Sequence, residues 1–148
     1  MDSILKQLEG LDVKTVVVVD QRPDDYADLL SATQGADVRW QFVSNGREAL
    51  HLAHTLPVDL WVVNDYLPDM SGLELCALLK SCLDQSVIYM VTDKYSQAIE
   101  RDARNCGVAL FVCKPVQQEW IIHFKTRQNG KHYMAKNPNR QATDASTQ

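Results

Sequence analysis

Five short apolar runs, each cut off by polar residues, alternate along the chain with stretches of helical periodicity. Few folds accommodate that alternation. Thr15 to Val19 is β-branched throughout, the composition of a strand covered on both faces. Leu60 to Val63, Val87 to Val91 within Ser86–Thr92, and Val108 to Cys113 are further apolar runs of strand length. Val38, Trp40 and Phe42 alternate with Arg39 and Gln41, as in a half-exposed edge strand. Helical stripes fill the intervals: Tyr26, Leu29 and Leu30 after Pro23; Ala49, Leu50 and Ala53 after an Asn45-Gly46 turn; Leu75, Cys76, Leu79 and Leu83 after Gly72. Ile99 and Ala103 mark a fourth helix over residues 96–105, stopped near Gly107, and Trp120, Ile121 and Phe124 mark a last one. Pro23 suits a first helical turn, where Asp24 and Asp25 complement the helix dipole. Strands alternating with helices predict an α/β fold, a (βα)5 doubly wound parallel sheet with right-handed crossovers. Strand order 2-1-3-4-5 puts the alternating second strand at an edge and the valine-rich first strand inside.

The pattern spans residues 13–127, which are expected to form one domain. Ahead of it, Ile4, Leu5, Leu8 and Leu11 have helical spacing, so residues 1–12 are expected to form a helical extension. Residues 128–148 carry few apolar side chains and are expected to be a disordered tail or a linker. A net charge of -4, from 19 acidic against 15 basic residues, carries no nucleic-acid footprint. No apolar stretch reaches membrane-spanning length and the N-terminus lacks a signal sequence, so a cytoplasmic protein is expected. Cys76, Cys82, Cys106 and Cys113 include no C-x-x-C pair, and buried, reduced thiols are expected.

In such a sheet, ligands bind beyond the carboxyl ends of the strands, near the switch between strands one and three. The strand ends here read Asp20-Gln21, Asn64-Asp65, Thr92-Asp93 and Lys114-Pro115. A carboxylate, an amide, a hydroxyl and an ammonium are therefore expected to meet in one shallow pocket, with Tyr66 and Asp93 at its mouth. The stretch after the third strand, Leu-Pro-Asp-Met-Ser-Gly over residues 67–72, is a turn leading into a helix.

From Thr15 to Phe124 the chain resembles the receiver (CheY-like) domain of two-component response regulators, a flavodoxin-like fold. The resemblance rests on Val17-Val18-Val19-Asp20, Asn45-Gly46-Arg47-Glu48-Ala49-Leu50, Asp59 to Gly72, Val91-Thr92 and Lys114-Pro115. It implies Mg²⁺ binding by an acidic pair after strand one together with an aspartate ending strand three. That aspartate would accept a phosphoryl group, steadied by the Thr92 hydroxyl and the Lys114 ammonium. Phe111 occupies the place of the family's switch aromatic. Implied partners are a histidine kinase, a phosphotransfer protein or an output domain. The fourth helix, fifth strand and last helix would form the contact surface, which could also support a homodimer; neither nucleic acid nor membrane is implied.

The chain departs from this pattern where the chemistry is concentrated. The second acid of the pair is Gln21. Counting back from Pro68 and from Gly72 places the acceptor at Asn64, and an amide is no nucleophile. Asp93 stands where the family has a small residue. With Asp20 at most as a metal ligand, no resident cofactor and only weak Mg²⁺ binding are expected. Asn64 can accept from Lys114 and donate to Asp20, and Asp20 and Lys114 can form a buried ion pair. The expectation is an atypical receiver in signal transduction that is neither phosphorylated nor an enzyme and acts as an interaction module. The alternative is phosphorylation of Asp65 with Mg²⁺. Strand alternation turns Asp65 away from the pocket unless the strand is bulged. Asp69, in the loop, lacks the Thr/Lys cradle.

Overall fold

Stiff, branched valines suit a pleated strand covered on both faces, and the structure puts them in one. It is a computed structural model that describes residues 15–34, 37–83 and 85–120. Strand β1 (Thr15–Val19) is buried at every position. The other strands are β2 (Arg39–Val43), β3 (Leu60–Asn64), β4 (Ile88–Thr92) and β5 (Leu110–Cys113). All pair in parallel in the order β2-β1-β3-β4-β5, as the sequence predicts. Arg39 and Gln41 of β2 are exposed while Trp40 and Phe42 are half-buried, the signature of an edge. The two strands predicted at 86–92 and 108–113 each begin two residues later than predicted.

Pro23–Tyr26 forms a single 3-10 turn that runs into helix α1 (Ala27–Ala32). Helices α2 (Gly46–Thr55), α3 (Gly72–Cys82) and α4 (Gln97–Asn105) follow β2, β3 and β4. Asn45 does more than turn the chain. Its side chain accepts the Glu48 N–H and caps α2. The last helix is described only as far as Glu119–Trp120. The expected N-terminal extension and C-terminal tail lie outside the described residues.

Alternation along the strands divides the core into two layers. Val16, Val18, Leu60, Val62, Tyr89 and Val91 face Tyr26, Leu29 and Trp120. Val17, Val19, Trp61, Val63, Ile88, Met90 and Phe111 face α2, α3 and α4 through residues such as Ala49, Leu75, Leu79 and Ala103. Of the four cysteines, all free, only Cys76 is buried. Burial pushes its thiol up to about 12. Cys82 and Cys113 are exposed and Cys106 is half-buried, contrary to the expectation of four buried thiols. Cys82 ends α3 and Cys113 ends β5, an edge strand, so neither is covered by a neighbouring strand.

Candidate functional site

The two-layer parity continues past the strand ends and sorts the polar residues there. Asp20, Asn64 and Lys114 extend the face of Val18, Val62 and Val112, and Asp93 extends that of Val91. Asp65 and Thr92 extend the opposite face, with Val63 and Met90.

Asp20 is 3% exposed and hydrogen-bonded on both oxygens. Oδ1 accepts the Arg22 N–H at 2.9 Å. Oδ2 accepts the Tyr26 hydroxyl at 2.8 Å and the Asn64 amide Nδ2 at 3.1 Å, and it pairs with Lys114 Nζ at 3.0 Å. Four protein donors thus surround this carboxylate, three of them on Oδ2. Burial first, then the adjacent Asp20 charge, pushes the Tyr26 phenol far above its ordinary value, so it remains a donor.

Asn64 is equally buried. Its Oδ1 accepts the Tyr66 N–H at 2.8 Å, so it does not accept from Lys114, as the sequence suggests it could. The loop geometry explains the difference, because Tyr66 N–H lies two residues on and Lys114 is drawn to carboxylates. Lys114 Nζ reaches Asp25 at 2.7 Å, Asp20 at 3.0 Å and Asp93 at 3.0 Å, and it lies 5.7 Å from the Tyr26 ring centroid. An ammonium has three donors, and three carboxylates face this one. Burial works against its charge, but the hydrogen bonds it donates to Asp25, Asp20 and Asp93 hold it above the ordinary lysine value.

The expected ion pair between Asp20 and Lys114 is therefore present, joined by two side chains not assigned to the site from sequence. Tyr26 reads as a core residue and Asp25 as a helix-dipole charge. The available signal was their position within the first turn after a strand that ends in Asp20. Gln21 is exposed, outside this hydrogen-bonded cluster. Tyr66 is 70% exposed at the mouth, as expected.

Thr92 does not join the cluster. Its hydroxyl donates to the Lys94 carbonyl and accepts the Lys94 N–H, a local turn that keeps it on the other face. Asp65 shares that face, and its N–H continues the ladder to Val91 O at 2.9 Å although the strand proper ends at Asn64. Burial raises the Asp65 pKa, the Thr92 hydroxyl opposes this, and the Asp93 and Asp20 charges add to it.

A carboxyl whose folded pKa is raised loses stability as pH climbs through its unfolded value of 3.8 toward the folded one. Asp65→Asn is accordingly expected to be more stable than the parent at pH 7. The advantage should vanish below pH 3.8, where both side chains are neutral. Thermal melts of both proteins across pH 3 to 7 check this, and a constant difference would contradict it.

The loop after β3 is built to hold its shape. Ser71 caps α3 by accepting the Glu74 N–H at 3.0 Å, while Glu74 accepts the Ser71 N–H at 3.0 Å. Gly72 N–H returns to Asp65 O at 2.9 Å. Asp69 accepts the Gly46 and Arg47 N–H groups at 2.9 and 3.0 Å, an anion at the start of α2. The Gly46 N–H leads in holding its carboxyl below the usual carboxylate range. Phe111 is buried, with its ring edge-on to Tyr95 at 6.1 Å.

The residues present do not fit an Mg²⁺ site. Positions 21 and 64 are amides, and Asp20 is held by Arg22 N–H, Tyr26, Asn64 and Lys114. Among the described residues, no three His, Cys, Asp or Glu side chains are placed to hold a metal. Nor does any described helix have the length and apolarity to cross a membrane.

Comparison with known proteins agrees with this architecture. The sequence model of the response regulator receiver domain family matches residues 16–124. A probable cyclic di-GMP phosphodiesterase of Vibrio cholerae is 27% identical over 111 residues, covering 74% of the chain and 25% of that protein. The signal transduction histidine-protein kinase BarA of Escherichia coli is 22% identical over 115 residues, 76% of the chain and 12% of the kinase. The chain thus spans a quarter or less of these relatives. Among solved structures, a CheY-like receiver domain protein from Methanospirillum hungatei superimposes with a TM-score of 0.70 at 18% identity, covering 85% of the chain and 100% of that structure. The signal receiver domain of an HD domain-containing protein from Pseudomonas fluorescens gives 0.69 at 19% identity, covering 84% and 99%.

Proposed function

The chain belongs to the response regulator receiver domain family of two-component signalling, and on that premise we propose that it is an atypical member that accepts no phosphoryl group. It works as a protein-interaction module and not as an enzyme. One observation supports this reading: Asn64, which the resemblance aligns with the acceptor, spends its amide on Asp20. The two residues that would serve a metal and a phosphoryl group, Asp20 and Lys114, are spent on each other and on Tyr26, Asp25 and Asp93.

The partners are signalling proteins of the cytoplasm: a histidine kinase, a phosphotransfer protein or an output domain. The contact surface comprises α4, β5 and the last helix, where a homodimer could also form. Binding there is set by abundance and surface complementarity, because the pocket has no covalent step to report. NMR titration tests this reading. Mg²⁺ followed by beryllofluoride should leave the amide resonances of residues 20, 64, 92 and 114 unmoved, and a saturable shift at those positions would overturn it.

A second reading has its own observation: Asp65 continues the ladder beside β4, on the same sheet face as Thr92. In it, Asp65 accepts the phosphoryl group with Mg²⁺. One feature weighs against it: Lys114 is engaged on the opposite sheet face.

A further inference from the structure

We propose that Asp25 and Asp93 are a built-in anion for Lys114, a lock that closes the pocket to phosphate even if the missing acids are supplied. The inference deepens the reading above and rests on it, since it concerns the same pocket.

Lys114 Nζ can direct three hydrogen bonds. One goes to Asp20, which is buried beneath it. The other two point toward the pocket mouth, where an incoming ligand would place its anionic oxygens, and the carboxylates of Asp25 and Asp93 occupy both at 2.7 and 3.0 Å. These residues arrive from separate elements. Asp25 lies in the 3-10 turn after β1, Asp93 follows β4, and Lys114 follows β5. Their side chains are 36% and 58% exposed, so they form the outer layer over a lysine that is 11% exposed.

Charge compounds the steric argument. Asp20, Asp25 and Asp93 set three negative charges against the single positive charge of Lys114, leaving this cluster net negative. A phosphoryl donor approaching it meets repulsion and finds the Lys114 donors taken. Tyr26 completes the closure from below. Its hydroxyl holds Asp20 Oδ2, and its ring lies beside the ammonium. Asp25 and Asp93 thus act through Lys114 as positioning residues, and restoring Asn64 to aspartate leaves them in place.

The test compares two restored proteins. The first is the full chain with Gln21→Asp and Asn64→Asp. The second adds Asp25→Asn and Asp93→Ala. Both are incubated with Mg²⁺ and acetyl phosphate, and the rate of phosphoryl gain is read by intact mass. Release of two lysine donors and two negative charges is expected to speed incorporation roughly tenfold to a hundredfold in the second protein. Adding Lys114→Met should abolish that gain, which a merely structural role of Asp25 and Asp93 would not predict. Equal rates in the two proteins would overturn the lock. If the fourfold variant does not fold, Asp93→Ala alone on the first background must still raise the rate, because Asp93 is mostly exposed; no rise there also overturns it. The parent chain is the separate control. Phosphoryl gain by the parent refutes the proposed function, whereas the lock is judged only between the restored proteins.

Discussion

Lys114→Met is expected to destabilise the domain by about 3 kcal/mol, the usual effect of removing one partner from a buried ion pair. The loss falls mainly on Asp20. Asp25 and Asp93 are open enough to recover water once the ammonium is gone, but Asp20 is 3% exposed and keeps its charge with only neutral donors around it. Removing that charge as well should recover much of the loss, so Asp20→Asn with Lys114→Met should be more stable than Lys114→Met alone. Denaturant melts of the two single variants and the double variant form a cycle whose coupling term is the strength of the pair. Additive losses would mean that Lys114 contributes only its packing. The pH dependence has a definite sign. A lysine whose folded pKa is raised contributes fully below its unfolded value of 10.5, and the contribution is lost only as pH rises through the folded one. The difference between parent and Lys114→Met should therefore be level from neutral pH up to about pH 10.

Gly72→Ala is expected to cost about 2 kcal/mol through overpacking. A methyl group there would stand 2.3 Å from the Asn64 carbonyl oxygen and 2.7 Å from Asp65 Cα. Both neighbours are backbone, so no side-chain rotation relieves the clash. The strand tip or the α3 start must move, and the Gly72 N–H to Asp65 O bond stretches with it. The signature should be local as well as global. The melting temperature should fall by roughly 10 °C, and amide exchange at residues 65, 66 and 72 should quicken more than in β1. A variant as stable as the parent would mean that the loop is not pressed against the strand tip.

The sheet was legible because a parallel strand buried on both faces must be largely apolar, and 16–19 and 60–63 are apolar throughout. The edge was legible in Trp40 and Phe42 for the opposite reason. The positions of Asp20, Asn64 and Lys114 followed from strand ends alone, since a parallel sheet brings its carboxyl ends to one side. What sequence could not supply was the choice of partner among competing charges. Lys114 and Asp25 are 89 residues apart, and nothing local distinguishes Asp25 from Asp24 as the lysine's neighbour. Thr92 was misplaced for a related reason: its hydroxyl finds a nearer partner in the Lys94 backbone than any across the pocket. Asp69, likewise, reads as a loop acid until the fold brings the α2 amides within 3.0 Å of it.

What unites these features is a receiver fold whose loop scaffold is intact and whose reactive centre is internally satisfied. The most direct test is intact-mass spectrometry of the unmodified chain after incubation with Mg²⁺ and acetyl phosphate, with Asp65→Ala treated in parallel. The account predicts no phosphoryl adduct on either protein. An adduct on the parent that disappears in Asp65→Ala would contradict it and transfer the acceptor role to Asp65.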